Sequence, residues 1–309
     1  MTIPILLDCD PGHDDAIALL LALASPELEL LGVTTVHGNQ TLDKTTDNAL
    51  RVLELVGRTD VPVARGADRP LIREPHVAAH VHGESGMDGP TLPAPTTEPV
   101  AAHAVDFIAE TVLASDEPVT LVPTGPLTNI GLFLALHPDA AAKVDRIVLM
   151  GGAYGEGNVT PAAEFNIWVD PEAADRVFSS GLDVTMIGLD VTHQAIFGPE
   201  PTAQLKQAGR VGAMVAELLG FYGQFHKQSY GWDGSPIHDA VAMAHAFKPG
   251  IVETVHVGVK VDCGEELGRG RTNCDLRGRV AWEPNAHVSV GIDADAFISL
   301  LVERISSLG

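Results

Sequence analysis

Apolar residues in this chain fall into short unbroken runs, and each of the first runs is followed by a stretch with helical spacing. Ile3 to Leu7 precedes Asp14 to Ala24, and Leu30 to Val36 precedes Leu42 to Val56. Aliphatic runs without polar alternation predict strands buried on both faces, the habit of parallel sheets, and the periodic stretches between them predict the crossover helices. Further strands are predicted at Val119 to Val122, Arg146 to Met150, Val184 to Leu189 and Val252 to Val261, with Pro118, Gly181 and Asp183 marking where some of them begin. Ala240 to Phe247 is a helical stretch, and Asp293 to Leu308 predicts a closing amphipathic helix. The expected fold class is therefore α/β, a single domain over residues 1–309 with a mostly parallel central sheet flanked by helices. Arg69 to Pro99 carries six prolines and three glycines with little periodicity, so it is expected to be a long surface excursion and a candidate lid. No linker composition, internal repeat or low-complexity tract divides the chain.

Composition narrows the partners. A hydrophobic content of 45% supplies ample core, and a formal net charge of -22 argues against a nucleic acid or an anionic membrane, since both need clustered Lys and Arg. The three cysteines, Cys9, Cys263 and Cys274, have no zinc spacing, and their odd number suits a reducing compartment, so the cytoplasm is expected. The N-terminus lacks a basic region followed by a long apolar stretch, and Asp8 and Asp10 interrupt the one candidate.

Candidate chemistry gathers at the predicted strand ends, where open parallel sheets bind their ligands. Asp8, Asp10, Asp14 and Asp15 lie within eight residues where the first strand turns into a helix. Carboxylates this close coexist by raising some pKa values or by sharing a cation, and a hard divalent metal with oxygen ligands is the simplest solution. His37-Gly38-Asn39 follows the second strand, Pro123-Thr124-Gly125-Pro126-Leu127-Thr128-Asn129 the Val119 strand, and Gly151-Gly152 the Arg146 strand. Asn158, Glu164-Phe165-Asn166 and His238-Asp239 come later. Each group alone has a structural explanation: acidic first turns and caps for Asp14-Asp15 and His238-Asp239, turns for His37-Gly38 and Pro-Thr-Gly-Pro. Their joint occurrence carries the case. An EF-hand is excluded, because with Asp8 first the sixth position is His13 rather than Gly and the twelfth is Leu19 rather than Glu. A haloacid-dehalogenase-like phosphatase also opens with Asp-x-Asp after its first strand; here Pro11-Gly12 follows, and that enzyme class stays as the alternative.

The run Asp8-Cys9-Asp10-Pro11-Gly12-His13-Asp14-Asp15-Ala16 resembles the N-terminal signature of the inosine-uridine preferring nucleoside hydrolases. The resemblance continues through Val36-His37-Gly38-Asn39, Pro123 to Asn129, Ala163-Glu164-Phe165-Asn166 and His238-Asp239, and so spans nearly the whole chain. It implies a Rossmann-like nucleoside hydrolase fold, hydrolysis of the N-glycosidic bond of ribonucleosides to ribose and free base, a bound Ca²⁺, and a homodimer or homotetramer. It further implies that Asp10, Asp15, the main-chain carbonyl of Thr124 and Asp239 hold the calcium. Asp14, Asn39, Asn158, Glu164 and Asn166 resemble the ribose contacts, Met150 the lining of the sugar pocket, and His82 a pocket histidine. Asp8 is placed behind the metal ligands, orienting them.

The chemistry fits these residue types. Departure of the base leaves an oxocarbenium-like sugar, which calls for negative charge near the ribose, a nucleophilic water and a proton for the leaving group. Asp10 is the candidate general base, and His238, which titrates near neutrality when unperturbed, is the candidate leaving-group acid. Base recognition is expected from Phe221 to Pro236. Phe221 and Phe225, spaced four apart, read as the apolar face of a helix, whereas Tyr230 and Trp232, beside Gly231 and Gly234, are lid candidates. The presence of His238 resembles the broad or pyrimidine-tolerant members and leans away from strict purine specificity. A rival of a different class is a non-catalytic nucleoside or ribose binding protein that kept the metal pocket.

Overall fold

Residues 2–309 are described in a computed structural model, in which the apolar runs become strands of one sheet. In chain order the strands are β1 (Ile3–Cys9), β2 (Leu28–Thr35), β3 (Val63–Arg65), β4 (Val119–Pro123), β5 (Val144–Met150), β6 (Val184–Ile187), β7 (Ile196–Phe197), β8 (Ser235–Pro236), β9 (Val252–Val257), β10 (Val259–Val261), β11 (Thr272–Cys274) and β12 (Ala286–Ile292). Eight of them form the central sheet in the order β3-β2-β1-β4-β5-β6-β12-β9. All neighbours in it pair parallel except β9, which runs antiparallel to β12 at one edge. Two short antiparallel pairs, β7 with β8 and β10 with β11, stand apart from the sheet.

Strand β1 is central and buried from Pro4 to Cys9. Ile5, Leu7 and Cys9 enter the core on one face, under the helices His13–Ala24, Gly209–Tyr230, His238–Phe247 and Ala294–Ser306, while Leu6 enters the core on the other with the helices Ala104–Ala114, Thr128–Leu136 and Pro171–Phe178. The period of two explains the division, and two apolar faces explain why the run shows no polar alternation. The strand order reverses between β1 and β4, so a crevice opens beyond their carboxyl ends. Asp8 pairs in register with Thr34 on one side and Pro123 on the other, which brings the acidic loop, the Asn39 loop and the Thr124 loop to one place.

Several expectations are adjusted. Val252 to Val261 is two strands rather than one, because Gly258 separates β9 in the main sheet from β10 in its hairpin. Val184 to Leu189 stops at Ile187, and Leu189 opens a short helix, Leu189–Thr192. The excursion from Arg69 to Pro99 is mostly irregular, but it is not purely superficial. It contains the helix Ala79–His82, buries His82 and Met87, and is tied back by Arg73, which bonds Glu172 and, at 2.6 Å, the Cys263 carbonyl.

Candidate active site

The floor of the crevice is carboxylate packed on carboxylate. Asp10 follows β1, Asp14 and Asp15 lie in the first turn of His13–Ala24, Asp239 lies in the first turn of His238–Phe247, and all four are buried. The two helices pack on each other, which is why acids far apart in the sequence meet. One carboxylate oxygen from each of Asp14, Asp15 and Asp239 lies within 4.8 Å of the others. Asp10 adjoins them: its amide donates to Asp15 Oδ1 (3.3 Å), and its own Oδ2 accepts from the Asn39 amide (2.6 Å). Asp10 Oδ1 is buried with no partner among the described residues. The chain approaches Asp10 through glycines, since a Cβ on Gly38 or Gly125 would come within 2.1 or 2.5 Å of its carboxylate oxygens.

Electrostatics follow from that packing. Burial, with Asp15 and Asp14 adding to it, raises the Asp10 carboxyl well above its ordinary range. Burial and then Asp14, Asp15 and Asp10 do the same to Asp239, while Asp14 is pushed up to about 8 by burial and Asp15. Asp15 is raised by burial against the bonds donated by the Gly12 amide (3.0 Å) and the Thr124 hydroxyl (2.8 Å). No lysine or arginine is among the residues that line the cavity above. Four buried acids with no basic partner and an orphaned oxygen make an all-oxygen donor set that a hard divalent cation satisfies. Asp8 lies just behind, its Oδ1 accepting from Thr34 Oγ1 (2.5 Å) and Asn129 Nδ2 (2.8 Å), and burial pushes it up to about 7.

On the sugar side, Asn39 Nδ2 donates to Asp15 Oδ2 (2.9 Å), and Asn166 Nδ2 donates to the Thr124 carbonyl (2.7 Å) and the Met150 carbonyl (3.2 Å). Asn166 therefore marks where the Thr124 carbonyl faces. Glu164 is the N-cap of the short helix Phe165–Val169, accepting from the Asn166 and Ile167 amides and also from Gly152 (2.9 Å). Burial pushes its carboxyl up to about 7 against those bonds. Asn158 lines the cavity, and its Oδ1 accepts from the Phe165 amide (2.9 Å).

Above the floor an open cavity is lined by Asp14, Asn39, His82, Thr124, Met150, Asn158, Glu164, Asn166, Tyr230, His238 and Asp239, all of them anticipated from the sequence. Asp10 and Asp15 sit beneath it, bonded to its lining through Asn39 and Thr124. Trp232 does not line it; the indole stacks on Tyr230 at 4.5 Å between centroids and backs that ring. Phe225 departs from the helix-face reading, because the stripe of Tyr222, Phe225 and His226 faces the cavity, whereas Phe221 stacks on His13 at 5.4 Å. Tyr222 and His226 fall in the segment from which base recognition is expected, and both line the cavity, whereas His193 is not singled out by the sequence. His193 could have been found from its place after β6, where the strand-end rule applies again.

The base end is thus an imidazole and aromatic wall. His193 lies 5.6 Å from His238, 5.1 Å from Trp232 and 6.1 Å from Tyr230, centroid to centroid. Burial, reinforced by the neighbouring histidines, holds His238 and His82 well below the ordinary imidazole range, and burial holds His226 at about 4. An uncharged wall suits an uncharged planar ligand. It offers no cationic clamp for a phosphate ester, which removes the ground for the phosphatase alternative.

Comparison with known proteins agrees with this geometry. The family model for inosine-uridine preferring nucleoside hydrolase matches residues 5–299. The chain is 53% identical over 308 residues to the pyrimidine-specific ribonucleoside hydrolase RihA of Shewanella sp. (strain ANA-3), covering 99% of this chain and 97% of that protein. It is 51% identical over 307 residues to the protein of the same name from Escherichia coli O8 (strain IAI1), covering 99% of each. Among solved structures, a purine-preferring ribonucleoside hydrolase from Gardnerella vaginalis superposes with a TM-score of 0.93 at 36% identity, covering 99% of this chain and 98% of that one.

Proposed function

Because the chain belongs to the inosine-uridine preferring nucleoside hydrolase family and is a ribonucleoside hydrolase, we propose that it cleaves pyrimidine ribonucleosides in preference to purine ones and does so with calcium. The observation that carries the metal is the meeting of Asp14, Asp15 and Asp239 beside the unpartnered Oδ1 of Asp10. Asp10, Asp15, Asp239 and the Thr124 carbonyl would hold the ion, and the carboxylate of Asp14, equally near, is shared between it and the sugar. Calcium bound there would supply the charge that gathers the ribose hydroxyls and the attacking water and makes that water more acidic.

The protein's own groups do the rest. Asp10 is pinned through Oδ2, and its carboxylate, beside the ion, is the base that takes the proton of the water. Asn39, Asn158, Glu164 and Asn166 hold the ribose, with Met150 against it, and the surrounding carboxylates stabilise positive charge as it grows on the sugar. His238 serves the leaving group: the electron pair of the C1′–N bond departs with the base, and the ring meets the negative charge through its cavity-facing nitrogen. Tyr230, backed by Trp232, stacks on the base, and His82 completes the wall. The preference for pyrimidines follows the names of the half-identical relatives. The same reading places a homodimer or homotetramer in the cytoplasm, acting in nucleoside salvage over a single catalytic unit of residues 1–309, with no nucleic acid or membrane partner.

The test is ribose release from uridine, cytidine and inosine by the protein stripped with a chelator and then reloaded. Uridine and cytidine are expected to outpace inosine, and activity is expected to vanish on stripping and return with Ca²⁺. Faster inosine would reverse the substrate preference, and full activity in the stripped protein would remove the metal.

A further inference from the structure

Beside the cavity, the short helix Leu189–Thr192 delivers a hydroxyl to the back of His238. Thr192 is fully buried, and its Oγ1 lies 2.7 Å from His238 Nδ1. The two residues are held from both sides. The antiparallel pair β7 and β8 joins the chain just after Thr192 to the chain just before His238, and the Ile237 amide donates to the Ala195 carbonyl (3.3 Å). The helix itself is anchored by the Leu189 amide on the Gly152 carbonyl (2.9 Å), next to the Glu164 cap. A contact framed by two backbone links is a fixed feature of the site.

Hydrogen-bond counting then settles which way the proton goes. His238 Nδ1 is the one partner of the Thr192 hydroxyl among the described residues. With an uncharged ring, a donor at Nδ1 would leave a buried hydroxyl proton without an acceptor, at a cost of about 1–3 kcal/mol. The satisfied arrangement has the hydroxyl donating to Nδ1, which fixes the ring proton on Nε2. When the ring is charged, Nδ1–H donates to the same oxygen and Nε2 still carries a proton. A hydroxyl is the one kind of side-chain group here that satisfies both states without moving.

We propose that Thr192 is a positioning residue for the reaction, holding His238 so that Nε2–H always faces the departing base. The inference rests on the reading of His238 as the leaving-group acid. As the C1′–N bond breaks and its electron pair leaves with the base, Nε2–H donates a hydrogen bond to the base from the neutral ring. In the alternative tautomer the cavity would meet a lone pair, which repels the same charge.

The experiment compares Thr192→Val, Thr192→Ser and His238→Ala on uridine and on a nitrophenyl riboside, whose leaving group needs no proton. Thr192→Val is expected to lower kcat on uridine about tenfold with KM little changed, to leave the nitrophenyl riboside nearly untouched, and to be rescued by Thr192→Ser. Equal losses on both substrates, or no loss on uridine while His238→Ala is strongly impaired, would overturn the inference. Should His238→Ala itself leave uridine untouched, the acid role falls and the inference with it. Imidazole ¹⁵N shifts of the unmodified enzyme give a second measurement independent of the variants' folding: His238 is expected with Nε2 protonated and Nδ1 not, and the reverse pattern would refute the assignment.

Discussion

At the floor of the cavity, Asp10, Asp14, Asp15 and Asp239 are buried to the last few per cent and stand on strand and helix ends that pack on one another. At the rim, Tyr230 is 41% exposed on the last turn of Gly209–Tyr230, Trp232 follows the left-handed Gly231 cap, and His193 is half-buried just past the helix Leu189–Thr192. The floor assembles carboxyls that must keep protons or share a cation; the rim assembles neutral rings whose contacts are dispersive and graded. Floor residues therefore act together or not at all, whereas rim residues add modest increments that can be traded to retune the base.

The sharpest way to break this contrast is Asp10→Asn. It keeps an oxygen for the Asn39 amide but removes the free base, so kcat is expected to fall by about 10²–10⁴-fold with the circular dichroism spectrum unchanged. A loss of less than tenfold would mean that the base lies elsewhere on the floor. At the rim, Tyr230→Ala is expected to act chiefly on KM, by about tenfold for uridine and less for ribose as an inhibitor, if the ring stacks on the base as proposed. Equal weakening of ribose binding would show that the rim also shapes the sugar site. Trp232→Ala should follow Tyr230→Ala in direction with a smaller effect, on the order of 1 kcal/mol, since the indole supports Tyr230 without lining the cavity. An effect larger than that of Tyr230→Ala would make Trp232 the primary contact.

The same contrast explains what the sequence disclosed. The floor was legible because Asp8 to Asp15 compress it into one turn between two apolar runs, and because polar residues at the ends of β2, β4 and β5 follow one rule of open sheets. That Asp14 also comes within 4.8 Å of oxygens of Asp15 and Asp239 is not legible in the sequence, since only the packing of His13–Ala24 against His238–Phe247 decides which carboxylates converge. The rim was only half legible. Phe225 follows an apolar-face pattern whichever way the face turns, and Tyr222 and His193 belong to no local motif. Among the strands, β3 is too short to show a period and β12 carries His287 and Ser289 within its run, so tertiary pairing rather than local pattern creates both.

The weakest effect is the pH dependence of stability, and it separates the floor from the histidines elsewhere by sign. In the metal-free protein Asp8 and Glu164 sit at about 7 and Asp14 at about 8, all raised by burial, so the folded state keeps protons that the unfolded chain has released. Their contribution is complete below the ordinary carboxylate range and is lost as pH rises toward 8. His37 and His245 lie at about 4, lowered by burial, and neither His37 ring nitrogen has a partner among the described residues. The unfolded chain binds protons there that the folded state does not, so their cost appears as pH falls from 6.5 toward 4. The two slopes oppose below 6.5; above it the floor stands alone. Metal-free protein is therefore expected to lose a few degrees of Tm between pH 6.5 and 8, at roughly 2–4 °C per kcal/mol. Calcium-loaded protein should hold nearly level over that range, because the ion favours the charged carboxylates that the bare floor resists. Parallel slopes with and without calcium would show that these acids titrate independently of the ion, and the division between a charged, metal-bound floor and a neutral rim would not stand.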